Sequence, residues 1–380
     1  MSTPTLLPFP ESLRAGVLVL GGGPAGAITA LRLRQLGVGD VLILDARDFP
    51  RDKTCGSGLS PALIGVLREL GVWSRVAEVA YPIEGMRLTT PGGHEVDLPA
   101  RGLEVGVCLR RDLDHVLLQA AIDAGARFVP GFRGKDLVEE DGRVVGVRTR
   151  DGREARGRFT VIATGAHAPL AIEPERKRTI HTMMGWWTGL AFRPHWMEMI
   201  YDADLLPYYG WLFPETPERV NIGITYVNDG EKRNARETFD RFLDRHYADR
   251  LQGAEEVWPR RGHPIVWSYQ VPKLATPGRF VVGEAGRMVH PATGEGLSYA
   301  ARSGILAAEA LAGVLLSGHS ERLARATYRA RCAKAFTGPF LAGGAFMRAI
   351  RSPWTDRLVA AASDDRPALQ RLTHGLFSKL

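Results

Sequence analysis

Three glycines near the N-terminus carry the most legible chemistry in the chain. Gly21, Gly23 and Gly26 are spaced as G-x-G-x-x-G within Gly21-Gly22-Gly23-Pro24-Ala25-Gly26. The first glycine of such a set permits a tight turn. The second lets backbone approach a pyrophosphate, and the third lets the following helix pack close to its strand. That helix begins with unpaired N–H groups and a partial positive charge, both suited to phosphate oxygens. Asp45 stands 19 residues beyond Gly26, at the end of an apolar run, where a carboxylate can take ribose hydroxyls. A dinucleotide fits this set better than a bare glycine turn does. Farther along, Gly283-Glu284-Ala285 leads to Pro291-Ala292-Thr293-Gly294-Glu295-Gly296-Leu297. A strand ending in Gly-acid can set a carboxylate on a sugar or ribitol hydroxyl. The second glycine turn feeds another helix, whose dipole would stabilise negative charge on a reduced flavin ring. Two such sites suit a long cofactor stretched across a sheet.

Other reactive residue types are weaker signals. Cys55 lies in the polar, glycine-rich loop 46–59, and reads equally as a thiol near a ligand or as a small buried residue. In Tyr209-Gly210-Trp211-Leu212-Phe213-Pro214, alternation puts Tyr209, Trp211 and Phe213 on one face, either core or substrate wall. His115, His167, His181, His263 and His290 are not spaced as a metal site, and no Ser-His-Asp set is legible. His290 neighbours Pro291 at the second turn, and packing is favoured over catalysis for it.

The elements that would position these residues follow from periodicity and punctuation. Val17–Leu20 and Val41–Leu44 read as buried strands, with a helix from Pro24 to about Leu36 between them. Ser60-Pro61 is a helix start, and the helix ends before Gly71. Arg87–Thr90 and Glu95–Leu98 flank a Pro-Gly-Gly turn as a hairpin. Arg110-Arg111-Asp112-Leu113-Asp114 precedes a helix from His115 to Ala124, followed by a parallel strand at Arg127–Val129. Paired Asp-Gly turns make a three-stranded meander of 136–140, 143–150 and 153–158, and Phe159–Gly165 returns to the parallel sheet. From about 169 to 265 tryptophans and tyrosines cluster among strand-like runs, as in an antiparallel second lobe, and a helix spans roughly 232–248. A long helix to about Leu316 follows the second glycine turn. The last segment is helical, and its Phe336, Phe340, Phe346, Met347, Ile350 and Trp354 read mainly as packing residues.

Composition sets the outer limits. The chain has 380 residues, 45% hydrophobic and 24% charged, with a net charge of +7. Two domains, or one with an inserted lobe, fit that length. The positive charge is scattered arginine without an interleaved aromatic stripe, which argues against nucleic acid and leaves an anionic substrate or membrane surface open. No run of 18 apolar residues is present, and the start lacks the pattern of a signal peptide. Three widely spaced cysteines (Cys55, Cys108, Cys332) suit a reducing cytosol rather than a disulfide framework.

Taken together, the motifs resemble the geranylgeranyl reductase family, which has the FAD-dependent p-hydroxybenzoate hydroxylase-like fold. The resemblance rests on Gly21–Gly26, Asp45, Phe49-Pro50-Arg51-x-Lys53-x-Cys55-Gly56-x-Gly58-Leu59-Ser60-Pro61, Arg110-x-x-Leu113-Asp114, Tyr209–Pro214 with Asn221-Ile222-Gly223, and Gly283-Glu284-Ala285 with Pro291-x-x-Gly294-Glu295-Gly296. It covers about 17–305 and implies an α/β architecture. A Rossmann-like FAD-binding domain would comprise 14–168 with 266–318. An antiparallel β-sheet substrate lobe would take 169–265, and a C-terminal helical segment 319–380. FAD is the implied cofactor, contacted by Gly21, Gly23, Pro24, Ala25, Gly26, Asp45, Arg47, Arg110, Gly134, Gly283, Glu284, Pro291, Gly294, Gly296 and Leu297. Cys55, Gly56 and Gly58 would lie beside the ring on the substrate side, with Cys55 orienting substrate or flavin or supplying a proton. Tyr209, Trp211 and Phe213 would line a long apolar pocket. Glu284 stands where the family usually has Asp, and Ala163-Thr164-Gly165 where it often has Ala-Asp-Gly.

The implied reaction is reduction of C=C bonds in a geranylgeranyl or polyprenyl chain. The implied partners are an apolar isoprenoid and a transient electron donor, a reduced nicotinamide or a redox protein. Location would be cytoplasmic, with peripheral membrane contact open. A flavin monooxygenase of an aromatic or polyketide-like substrate is the alternative reading. A flavoprotein modification factor acting on a partner protein is a third. Tyr209 and Phe213 depart from the Trp-x-Trp-x-Ile-Pro of the halogenases of this fold.

Overall fold

Val17-Leu18-Val19-Leu20 is apolar at every position and closed to solvent, as the central strand of a parallel sheet must be. In the computed structural model, which describes residues 12–166, 170–174, 178–228, 233–352 and 354, it is the end of strand Ser12–Leu20. Expectations for the first residues, for His167 and for the chain beyond 354 lie outside the described residues.

Strand Ser12–Leu20 lies between Glu154–Ile162 and Val41–Leu44, both parallel to it, and Arg127–Val129 and Arg279–Val281 extend the sheet on either side. The register aligns Leu20 with Leu44 and with Ile162, and Ile162 with Val281. Gly21, Asp45, Ala163 and Val282 therefore leave the sheet along one carboxyl edge, where open parallel sheets bind ligands. Helices Pro24–Gln35 and Leu297–Ser317 pack together over one face of the core. Leu297–Ser317 is long and apolar enough to cross a membrane by composition, yet most of its apolar residues are buried against the core.

Glu154–Ile162 merges two strands that the sequence separates. It pairs antiparallel with Arg143–Thr149 of the meander and parallel with Ser12–Leu20. Helix Arg110–Asp123 begins five residues earlier than expected. Leu113 and Leu117 are already on its buried face, and Arg110 pairs with Asp114 one turn on.

The second sheet runs in space as Glu255–Gly262, Arg178–Thr188, Arg219–Tyr226, Gly210–Pro214, Trp196–Ile200, Gly85–Thr89 and Glu95–Pro99. It is antiparallel except where Trp196–Ile200 meets Gly85–Thr89 in parallel. The hairpin Gly85–Thr89/Glu95–Pro99 thus joins the lobe, although it falls within the stretch first assigned to the dinucleotide domain. Glu255–Gly262 was not expected as a strand. Its side chains are mostly exposed and charged, so it carries no apolar alternation. Helix Ala235–His246 covers the face bearing Leu212, Val220, Ile222 and Ile224. The long helix Glu321–Ala349 buries Ala324, Tyr328, Cys332 and Phe336 against the first domain, while Phe346 in its last turn and Ile350 just past its end reach the lobe core.

Candidate functional site

The first glycine turn is shaped by its own backbone. Gly21 has φ +110°, and a Cβ there would sit 2.3 Å from the Ala163 carbonyl oxygen. A Cβ on Gly26 would sit 1.8 Å from the Gly21 oxygen, so the third glycine is demanded by the turn itself. Asp45 is buried, and its carboxylate accepts from the Gly22 N–H at 2.7 Å and the Arg47 N–H at 2.9 Å. The acid therefore ties the second strand to the turn and still has lone pairs for a ligand. Space beside Gly23 is bounded by the Arg51 guanidinium at 3.5 Å. A pyrophosphate brought to this turn would meet a cation as well as the helix N-terminus.

Next to it is a cluster of charges. Arg110, buried, binds Asp114 through two bonds of 2.7 and 2.8 Å, and Arg51 reaches the same carboxylate at 3.1 Å. Arg110 was expected as a cofactor contact; most of its guanidinium is committed to Asp114, and it also faces Cys55. The Cys55 sulfur accepts the Ser57 N–H at 3.3 Å. Glu284 pairs with Lys53 at 3.4 Å and lies 3.6 Å from His263. Burial alone would raise its pKa, but Lys53 and His263 override burial and hold it down at about 2. The added methylene of Glu relative to Asp thus reaches both Lys53 and His263, which come from separate elements.

The wall opposite the glycine turns is apolar. Tyr209, Trp211 and Phe213 share one face and join Met86, Met184, Met197 and Met199, while Leu212 points into the other core. Trp211 is fixed by its N–H to Asn221 at 2.7 Å, and Asn221 is fixed in turn by Gly185. A Cβ on Gly223 would fall 2.2 Å from the Trp211 indole, so glycine there makes room for the ring. Gly56 and Gly58 lie close against Trp211 and Phe213. The Tyr209 hydroxyl donates to the Thr293 carbonyl at 2.6 Å, and that of Tyr208 to the Pro291 carbonyl at 2.9 Å. Two consecutive tyrosines therefore fasten the lobe to the second glycine turn. In that turn the Glu295 carboxylate accepts from the Ser298 N–H at 2.7 Å and Oγ–H at 2.6 Å. Burial pushes its pKa up to about 7 against those two bonds.

The two glycine turns, Lys53 with Glu284, and the aromatic and methionine wall surround one cavity of about 1150 Å³. Single small-molecule pockets run to roughly 1,000 Å³, so the volume suits a long dinucleotide together with part of a substrate. Of the sequence-predicted residues, Gly21, Gly23, Pro24, Ala25, Asp45, Arg47, Cys55, Gly56, Gly58, Arg110, Gly134, Tyr209, Trp211, Phe213, Glu284, Gly294, Gly296 and Leu297 line it. Gly26, Gly283 and Pro291 lie behind the wall: Gly26 packs on Gly21, Gly283 under Ala25, and Pro291 beneath Tyr208. His290 bonds within its own loop to Thr293, stacks with Tyr299 and meets Phe340 edge-on, away from the cavity. The sequence reading missed Arg51, Lys53 and His263 as charge partners, Glu295, and the methionine wall. Alternation in Met197-Glu198-Met199 held a signal for the last. Cys108 and Cys332 are free and buried, with their thiols pushed up to about 12 by burial.

A glycine-turn dinucleotide fold with a mixed second sheet closing an apolar cavity defines a class of flavoprotein. The chain belongs to the FAD binding domain family, which it matches over residues 14–337. It is 31% identical over 322 residues to the menaquinone reductase of Mycobacterium tuberculosis, covering 78% of this chain and 76% of that one. It is 27% identical over 309 residues to the digeranylgeranylglycerophospholipid reductase of Thermoplasma volcanium, covering 77% and 76%. A geranylgeranyl bacteriochlorophyll reductase-like protein from Thermoplasma acidophilum shares the fold, with TM-score 0.83, 22% identity and 96% of each chain covered. A flavin-dependent brominase shares it at TM-score 0.74 and 19% identity, over 96% of this chain and 99% of that one. The protein is accordingly an FAD-dependent oxidoreductase related to the geranylgeranyl reductases.

Proposed function

We propose that this protein reduces carbon–carbon double bonds of a geranylgeranyl or longer polyprenyl chain. One observation carries the reading: the aromatic and methionine wall faces the same cavity as both glycine turns. The names of the relatives point the same way. In this reading the Gly21–Ala25 turn and its helix N-terminus hold the FAD pyrophosphate, with Arg51 beside it. Asp45 takes the adenosine ribose, Gly134 backs the adenine, and Glu284 with Lys53 meets the ribitol. Gly294, Gly296 and Leu297 line the ring, and Cys55, Gly56 and Gly58 face the substrate. Bound and reduced, FAD supplies a hydride. Trp211, Phe213 and the methionines align the apolar chain and keep water out, which serves reaction by positioning rather than by bond-making. The electron donor binds transiently, since the described residues contain one G-x-G-x-x-G turn. The prenyl chain is met at a membrane surface, where the basic, partly apolar outer face of helix Glu321–Ala349 would dock.

An anaerobic experiment tests this. The purified holoprotein is reduced with dithionite and mixed with geranylgeraniol in detergent. Flavin reoxidation and a product two mass units heavier are expected. Reduced flavin that ignores the prenyl chain, but consumes oxygen in step with an oxygenated product, would replace this reading with a monooxygenase.

A further inference from the structure

Saturating an alkene requires a proton as well as a hydride, so the cavity wall must present an acid. Several lining groups are ill suited. The Tyr209 hydroxyl is spent on the Thr293 carbonyl, and burial raises its pKa far above neutral. Lys53 and His263 are engaged with Glu284. Cys55 accepts the Ser57 N–H and faces Arg110. Glu295 differs from all of these. It sits between the two glycines of the second turn, deep in the protein, and still opens onto the cavity. Among the described residues no basic side chain pairs with it. Its titratable neighbours are Tyr209 from the lobe, Tyr299 from the helix that follows, and His290 on its own loop, whose backbone N–H binds the Glu295 carbonyl.

We propose that Glu295 is the proton donor of the reaction, giving its carboxyl proton to the alkene carbon opposite the one that takes the hydride. The inference rests on the alkene-reductase reading. In the step the π bond breaks and a hydride from the reduced flavin forms one C–H bond. The hydride brings its own electron pair to that first bond; the Glu295 O–H bond breaks, its pair staying on the carboxylate, as the pair of the broken π bond forms the second C–H bond. The carboxylate left behind is received by the Ser298 N–H and hydroxyl, already in place at 2.7 and 2.6 Å. Water entering the cavity then reprotonates it. A carboxyl raised to about 7 is still protonated in a large fraction of molecules at neutral pH and gives its proton up readily, the match expected of a general acid.

The test uses holoprotein reduced anaerobically and mixed with geranylgeraniol, in wild type, Glu295→Gln and Glu295→Asp. The wild-type reoxidation rate should fall as pH rises through about 7. Glu295→Gln should be slower by roughly 100-fold or more with FAD affinity retained, and Glu295→Asp should recover part of the rate. Independently of turnover, the FAD-free wild type should show an infrared carboxylic-acid band that titrates in the same range and is absent from Glu295→Gln. A Glu295→Gln protein reacting within a few-fold of wild type, or keeping the band, overturns the assignment and leaves the reductase reading intact. Loss of FAD from both variants makes Glu295 a cofactor-binding residue and overturns it too. A wild type that ignores the prenyl chain defeats the reading itself, and the inference with it.

Discussion

Two glutamates of the cavity wall are driven in opposite directions, and pH should separate them. Glu284 has a folded pKa near 2 because Lys53 and His263 outweigh burial. A depressed carboxyl contributes its stability above its unfolded value, near 4.3, and loses it as pH falls toward the folded one. Glu284→Gln should therefore be less stable than wild type at pH 6 by on the order of 2–3 kcal/mol, a gap that narrows toward pH 3. Urea midpoints at the two pH values measure it; a gap that does not change with pH would remove the ion pairs from the account. Glu295 is raised to about 7, so its stability is complete below about 4.3 and is lost as pH rises toward 7. Glu295→Gln should match wild type near pH 4 and melt a few degrees higher at pH 8, as scanning calorimetry would show. Neither contrast was legible in the sequence. Glu284 was visible as a cofactor acid, but its partners Lys53 and His263 lie 231 and 21 residues away along the chain. Glu295 carried no signal of its own between two glycines, because its burial depends on the Tyr208–Tyr209 edge that covers the turn.

Strands with apolar alternation and turns with glycine were readable, and those two patterns delivered both glycine turns, the meander and the aromatic face. What escaped was structure held by partners rather than by pattern. Glu255–Gly262 is a strand because Arg178–Thr188 offers it an edge, not because its own residues alternate. The hairpin Gly85–Thr89/Glu95–Pro99 was seen, but its parallel docking on Trp196–Ile200 could not be, since local sequence does not encode which sheet a hairpin joins. The register between Gly210–Pro214 and Arg219–Tyr226 sets Trp211 opposite Gly223. Gly223→Ala would place a methyl 2.2 Å from the indole and force the ring out of its site. The variant should bind FAD normally yet lose prenyl turnover by roughly tenfold or more, as expected when a substrate-positioning wall shifts by about an ångström. FAD stoichiometry measured beside the reoxidation rate decides it; equal loss of both would make the site structural.

At the scale of the molecule, helix Glu321–Ala349 ties the dinucleotide domain to the lobe while turning another face outward. Arg322, Lys334 and Arg348 are exposed on it, along with Leu323 at 50% and Leu341 at 71%. Vesicles containing anionic lipid should retain the protein at low salt and release it as salt rises, because surface charge is screened over about 10 Å at 0.1 M. Leu341→Glu should weaken retention, and equal retention on neutral vesicles would shift the contact from charge to apolar insertion. The parallel pairing of Ser12–Leu20 with Glu154–Ile162 has a consequence in time. The Gly21 turn rests on Ala163, which leaves the ribosome 142 residues later. At about 5–20 residues per second that delay is on the order of ten seconds. Through it the N-terminal strand has Val41–Leu44 beside it but waits for its other neighbour, and the nucleotide cradle has no floor. FAD can therefore be captured only by a chain whose synthesis is well advanced, and nascent chains arrested before that point should emerge without the yellow cofactor.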